Sequence, residues 1–185
     1  MLLFCIVGGD NAWKNVADAL PPILFAAQHG SLEVIQLLVE QLDVNLTGVE
    51  AVAGGLNLAH FACTFGHAHL GGWAVNVDPS LLAGVDVASH STPLHVCASK
   101  GELAVLDRLL PAATADDLAV RMIVGSGSTA VALTPLELAQ VLMLRERTSI
   151  ARQAVVRSLL HYTLAHGRNY PYAPYSRRYY PKPQD

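Results

Sequence analysis

The sequence predicts an all-α fold, a solenoid of stacked helix–turn–helix units that ends in an extended C-terminal tail. Three observations carry this. A short helix-opening block recurs, its equivalent positions Pro22, Leu58, Pro93 and Pro135 lying 36, 35 and 42 residues apart. Gly30, Gly66 and Gly101 close the block in three copies, where a helix is expected to end in a left-handed conformation. Leucines and other apolar residues then follow at helical spacing. Units of this kind cannot bury an apolar face alone, so stacking supplies the core.

Taken in order, residues 1–20 are expected to form an N-terminal capping segment, with a helix over Asn11–Leu20. The opening Met1–Val7 is apolar but has no basic residue before it, so it reads as part of the fold rather than as a signal peptide. The first arginine is Arg108, which argues against an Arg-rich transit peptide. Residues 21–164 are expected to form the repeat array. Its first unit opens at Pro21-Pro22 and runs through Gly30 to a second helix with Leu32, Ile35, Leu38 and Val39 on one face. The second unit opens at Asn57 and closes at Gly66. Its second helix contains Leu70-Gly71-Gly72-Trp73, and two glycines cost about 1 kcal/mol each relative to alanine, so that helix is expected to be short or displaced. An inserted turn follows over Val77–Val87, with a short helix begun at Pro79 or Ser80. In the third unit Thr92 caps the first helix and Pro93 takes its first position, while Leu103, Leu106, Leu109 and Leu110 mark the second helix. Thr114–Met122 adds a helical turn and Gly125–Thr129 a flexible loop. Thr134-Pro135 opens the fourth unit, and Arg145–Leu164 reads as one long final helix with a stripe of Ile150, Ala154, Val155, Leu159 and Tyr162.

The segment Thr92-Pro93-Leu94-His95-Val96-Cys97-Ala98-Ser99-Lys100-Gly101, with the leucine-rich helix after it, resembles the ankyrin repeat. The first and third units match well. The second unit, without the proline, and the fourth, Thr134-Pro135-Leu136-Glu137-Leu138-Ala139-Gln140, match more loosely. The resemblance implies that His60 and His95 brace neighbouring backbone groups. It also implies that the array binds other proteins through its concave face and hairpin tips.

Composition supports burial and narrows the class. Hydrophobic residues make up 52% and charged residues 15%, against an ordinary charged share of about 25%. That excludes a largely disordered chain, and no run approaches the ~20 apolar residues of a membrane span. Three cysteines, Cys5, Cys63 and Cys97, are an odd and sparse set, read as core residues of an intracellular protein in a reducing compartment, cytoplasm or organellar matrix alike. Net charge is −3, but residues 1–100 carry −6 and residues 141–185 carry +6. With only ten charged side chains in its first hundred residues, a free solenoid would be poorly solvated, so part of its apolar surface is expected to lie against another chain. Trp13, Phe65 and Trp73 are candidates for core or interface.

Several chemical readings are set aside. His60, His67 and His69 lack the cysteines or carboxylates that would complete a zinc site. Gly125-Ser126-Gly127-Ser128-Thr129 lacks the lysine of a phosphate loop. Ser126 or Ser128 with His90 and Asp86 names a triad that nothing brings together. No cofactor, metal, small-molecule substrate or enzymatic activity is expected. Arg145, Arg147, Arg152 and Arg157 read as a solvated face or as a docking surface for an acidic partner, RNA or anionic lipid.

Residues 165–185 form the tail. The stretch from Gly167 holds five of the six tyrosines and four of the ten prolines, a composition that cannot build a core. It is either a disordered end or a segment ordered along a partner. In the second case Arg168, Tyr170, Tyr172, Tyr175, Arg177, Arg178, Tyr179 and Tyr180 are its anchors, with Trp73 a further contact on the array. The expected function is that of a protein-interaction module, a structural or accessory subunit of a larger assembly. A ribonucleoprotein-associated role through the Arg/Tyr end, and an inhibitor whose acidic body covers a basic target, are the alternatives.

Overall fold

The computed structural model describes residues 21–42, 46, 54–125 and 130–166. The capping segment over residues 1–20, with Trp13, and the tail from residue 167 onward, with all eight of its anchor residues, lie outside the described residues.

Four helix pairs follow one another. They are α1 (Pro22–Gln28) with α2 (Leu32–Leu42), α3 (Leu58–Phe65) with α4 (Ala68–Val77), α5 (Pro93–Lys100) with α6 (Leu103–Leu109), and, after insertions, α8 (Pro135–Arg145) with α9 (Ile150–His166). The first helices of the pairs pack side by side in the order α1, α3, α5, α8. The second helices α4, α6 and α9 form a parallel row, and α2 packs on α1. The core runs between the two rows. Leu24, Leu58, Leu94 and Leu138 occupy it from the first row, and Ile35, Leu70, Val105, Leu106, Leu109, Val155 and Leu159 from the second. Each such leucine or isoleucine contributes about 1.5–3 kcal/mol when taken fully out of water.

The turns inside the pairs are set by glycine. Gly30, Gly66 and Gly101 have φ of +68°, +76° and +80°, a region costly for residues with a Cβ. Gly30 carries a second constraint: a Cβ there would sit 2.6 Å from the His67 ring.

The glycine-containing helix of the second unit departs from expectation. α4 is a full ten-residue helix, neither short nor displaced. Its glycines face α6, and a Cβ on Gly71 would lie 3.1 Å from Val105 Cγ1 and 3.4 Å from Ala62 Cβ. The propensity lost at Gly71 and Gly72 is thus offset by the close approach of two helix backbones. Trp73, on the same helix, is half-buried against the core.

Insertions explain the lengthened spacing. After α4 a 3₁₀ turn, Pro79–Ala83, is capped by Asp78, whose carboxylate accepts from the Ser80 backbone N–H at 3.0 Å. Between α6 and α8 lie the one-turn helix α7 (Ala115–Ala119) and a two-stranded antiparallel hairpin. Its strands are β1 (Met122–Val124) and β2 (Val131–Leu133), paired Met122 with Leu133 and Val124 with Val131. Met122, read from sequence as helical, therefore begins a strand. The final helix also differs: α8 ends at Arg145, a turn intervenes, and α9 starts at Ile150. Ile150, assigned from sequence to the packed stripe, is 81% exposed, whereas Val155 and Leu159 are buried.

Candidate functional site

The caps that open each pair define what is buried and what is left to face outward. At α5, His95 Nδ1 accepts from the Thr92 backbone N–H at 3.2 Å and from the Thr92 hydroxyl at 2.9 Å. Its Nε2 faces the Leu133 carbonyl at 3.0 Å, so Nε2 carries the proton and donates. Asn57 and His60 repeat the device at α3. The Asn57 N–H donates to His60 Nδ1 at 3.2 Å, and His60 Nε2 donates to the Ser91 carbonyl at 3.1 Å. Asn57 Oδ1 accepts from the N–H groups of Ala59 and His60, and its Nδ2 donates to the Leu81 carbonyl at 2.8 Å. Burial lowers the pKa of both imidazoles, that of His95 to about 4, against the opposing pull of its bond to Leu133. Both rings are neutral near pH 7, and both of their nitrogens are used.

At α8 a carboxylate takes the histidine's place. Thr134 N–H donates to Glu137 Oε2 at 2.9 Å and Glu137 N–H to Thr134 Oγ1 at 3.3 Å, with Pro135 buried at the first helical position. Arg121 pairs with Glu137 at 3.2 Å and donates to the Ala132 carbonyl, tying hairpin to helix. α1 has Pro21 at its cap, which supplies no side-chain bond, Pro22 exposed at the first position, and the buried Leu24 where the other units place His60, His95 and Glu137.

Three of the residues set aside as metal or catalytic candidates, His60, His67 and Asp86, are otherwise engaged. His67 Nε2 donates to the Gln28 carbonyl at 3.0 Å. The Asp86 carboxylate accepts from the Ser89 N–H and hydroxyl at 2.9 and 2.6 Å, and Ser126 and Ser128 lie outside the described residues. Among the described residues no three His, Cys, Asp or Glu side chains group as a metal site, and no helix is long and apolar enough to cross a membrane. Cys63 and Cys97 are free and buried, and burial, reinforced by the neighbouring Cys63 thiol, pushes the Cys97 thiol up.

What the first helices leave outside is a ridge near their C-terminal ends. One turn before the helix ends, the exposed Phe25 and half-buried Val96 stand in register with Phe61 and Leu138, which are buried. At the end stand His29, Phe65, Lys100 and Leu142. Phe25 and Phe65 are 40% and 43% exposed, and His29, Ser99 and Lys100 are exposed beside them. The aromatic rings support one another: Phe25 and His29 lie 4.7 Å apart, Phe61 and Phe65 6.0 Å, and Phe65 stacks with His67 at 6.4 Å. Next to the ridge a depression of about 240 Å³ is lined by Thr64, Ser91, His95, Val96, Ser99, Lys100 and Met122. The first half of the ridge is aromatic and the second half is hydroxylic and cationic. Phe65 was already a candidate in the sequence, but Phe25, His29 and Lys100 emerge only when the copies are laid in register.

A family model described as ankyrin repeats, in three copies, matches residues 23–121. The chain belongs to the ankyrin-repeat family. The match spans the first three pairs of this ankyrin array, and the fourth pair, α8 and α9, continues the two rows beyond it. Ankyrin repeats generally mediate protein–protein interaction and are typically non-catalytic. No curated protein matches the chain.

Proposed function

We propose that this ankyrin chain is a non-catalytic binding subunit of a larger protein assembly and that it holds its partner on the ridge of α1, α3 and α5. The observation that carries the reading is the group of exposed aromatic side chains at the ends of α1 and α3, Phe25, His29 and Phe65, continued on α5 by Ser99 and Lys100. Aromatic anchors beside a polar rim are what a protein interface uses, because a ring buries much area at little cost in side-chain freedom. The sparse charge of residues 1–100 supports the same reading, since a covered face needs no charges to keep it in water.

The test is affinity purification of the tagged full chain, of Phe65→Asp with Lys100→Glu, and of a chain ending at His166, each shown to be folded by circular dichroism. Loss of a defined partner set from the ridge variant supports the reading, and loss from the truncated chain assigns the tail a share of the contact. A soluble monomer without partners, or a partner set indifferent to the ridge, overturns it.

A further inference from the structure

A solenoid normally finishes with a unit whose outward face is polar, because no further repeat covers it. α9, the last described helix, does not follow that rule. Its inner side is committed: Val155 and Leu159 are buried, Ser158 Oγ donates to Asp107 of α6 at 2.7 Å, and Arg152 reaches the Ser99 carbonyl at the end of α5 at 3.0 Å. Its outer side presents Ile150, Gln153, Arg157, Leu160 and Leu164, all exposed and spaced 3, 4, 3 and 4 residues apart. Ile150, Leu160 and Leu164 are 81%, 41% and 67% exposed. This alternation of three and four is the spacing of a seam that packs against one other helix. Arg157 stands at its centre and forms no ion pair among the described residues.

We propose that the outer stripe of α9 is a second binding site, separate from the ridge, and that its occupant is an amphipathic helix of a partner protein with a carboxylate placed against Arg157. The charge pattern selects this occupant. A second copy of α9, laid parallel or antiparallel in register, would set Arg157 against itself because that residue is central to the stripe. The chain's own following residues, 167–185, carry Arg168, Arg177, Arg178 and Lys182 against one acid, Asp185, the wrong sign for Arg157. No aromatic side chain lies on the stripe, so single-stranded nucleic acid finds no stacking surface there. An acidic helix satisfies both features, its apolar seam covering Leu160 and Leu164 and its carboxylate receiving the guanidinium.

The site is tested by titrating the full chain with two fluorescent synthetic peptides of about three heptads, identical amphipathic helices except for Glu or Lys at the central seam position. The Glu peptide is expected to bind at least tenfold more tightly than its Lys twin. Arg157→Glu is expected to reverse that preference, and Leu160→Ser with Leu164→Ser to weaken both peptides without altering the circular dichroism spectrum. Equal binding of the twins, or no saturable binding of either, overturns the proposal. So does a dimer in sedimentation that Leu160→Ser with Leu164→Ser dissolves, or flotation with phosphatidylserine vesicles in place of peptide binding. Binding seen only after truncation at His166 overturns it too, since the tail would then be the occupant.

Discussion

His95 donates from Nε2 to the carbonyl of Leu133, 38 residues further on and immediately before the Thr134 cap of the next pair. His60 makes the same bond to Ser91, the residue before the Thr92 cap. Each ring therefore closes its own helix start with one nitrogen and holds the entry to the following unit with the other.

That arrangement requires neutral imidazole, which fixes the direction of the pH dependence. The His95 pKa is about 4 in the folded chain against about 6.5 when unfolded. Its contribution is complete above pH ~6.5 and is lost as pH falls toward 4, because the unfolded chain takes up the proton first. The expected loss is about 3 kcal/mol, with His60 adding in the same direction. Urea unfolding between pH 7 and pH 4.5 measures it, and His95→Gln should flatten the slope while lowering stability at pH 7. An unchanged slope in that variant would mean that the ring is not the group that titrates.

The two glycines of α4 should differ in how well they accept a methyl group. At Gly71 a methyl group meets the branched Val105 side chain at 3.1 Å in the core, so Gly71→Ala should destabilise by about 1–2 kcal/mol despite its better helix propensity. At Gly72 one tight contact remains, Arg108 Cβ at 3.3 Å, while Cγ and Cδ of that side chain stand at 3.6 Å, so the gain in helix propensity and the contact should roughly cancel and Gly72→Ala should stay within about 1 kcal/mol of the parent. Thermal unfolding of the two variants compares them directly.

These glycines also show where the sequence stops being legible. Repeats, caps and turns were visible because Thr92-Pro93, Thr134-Pro135 and the closing glycines act on their own few residues. Whether Gly71 weakens a helix or admits a neighbour depends on Val105, 34 positions away, and local propensity cannot report it. The break between α8 and α9 was missed for a related reason. Glu146–Ser149 contains neither Gly nor Pro, and the turn is held by the Arg152–Glu146 ion pair and by Ser149 Oγ, which accepts from the Arg152 N–H at 3.4 Å. The hairpin was legible in part: Ile123-Val124 and Val131 flank a Gly/Ser loop, a β-branched pattern that the helical repeats around it obscured. The ridge was the least visible, since each of its members is an ordinary residue until the units are superposed.

Among the described residues Asn57 joins more groups than any threonine cap. Asn57→Ala removes its bonds to two N–H groups and leaves the Leu81 carbonyl with only the longer bond from the Gly84 N–H, at 3.4 Å. A loss of about 2–3 kcal/mol is expected, against about 1 kcal/mol for Thr134→Ala, whose helix keeps Glu137 on the Thr134 N–H. Denaturant midpoints at constant m-value would compare the two, and equal losses would show that the Leu81 contact contributes nothing.

The faces of α9 should separate cleanly in stability. Leu159→Ala empties a fully buried position and should cost about 2–5 kcal/mol, whereas Ile150→Ala, at an exposed one, should stay within about 0.5 kcal/mol. A large effect at Ile150 in the isolated chain would show that something within the chain already covers it.

The histidine ties also bear on how the molecule yields when pulled. They run from the second pair to the third and from the third to the fourth, whereas α1 places Leu24 at that position and meets the next unit through apolar contacts and the His67 bond to Gln28. Tension applied between the ends of the array should therefore peel away α1 and α2 first, at low force. The three bolted pairs should then give way together, so that under load the protein behaves as a soft leader in series with a stiff spring.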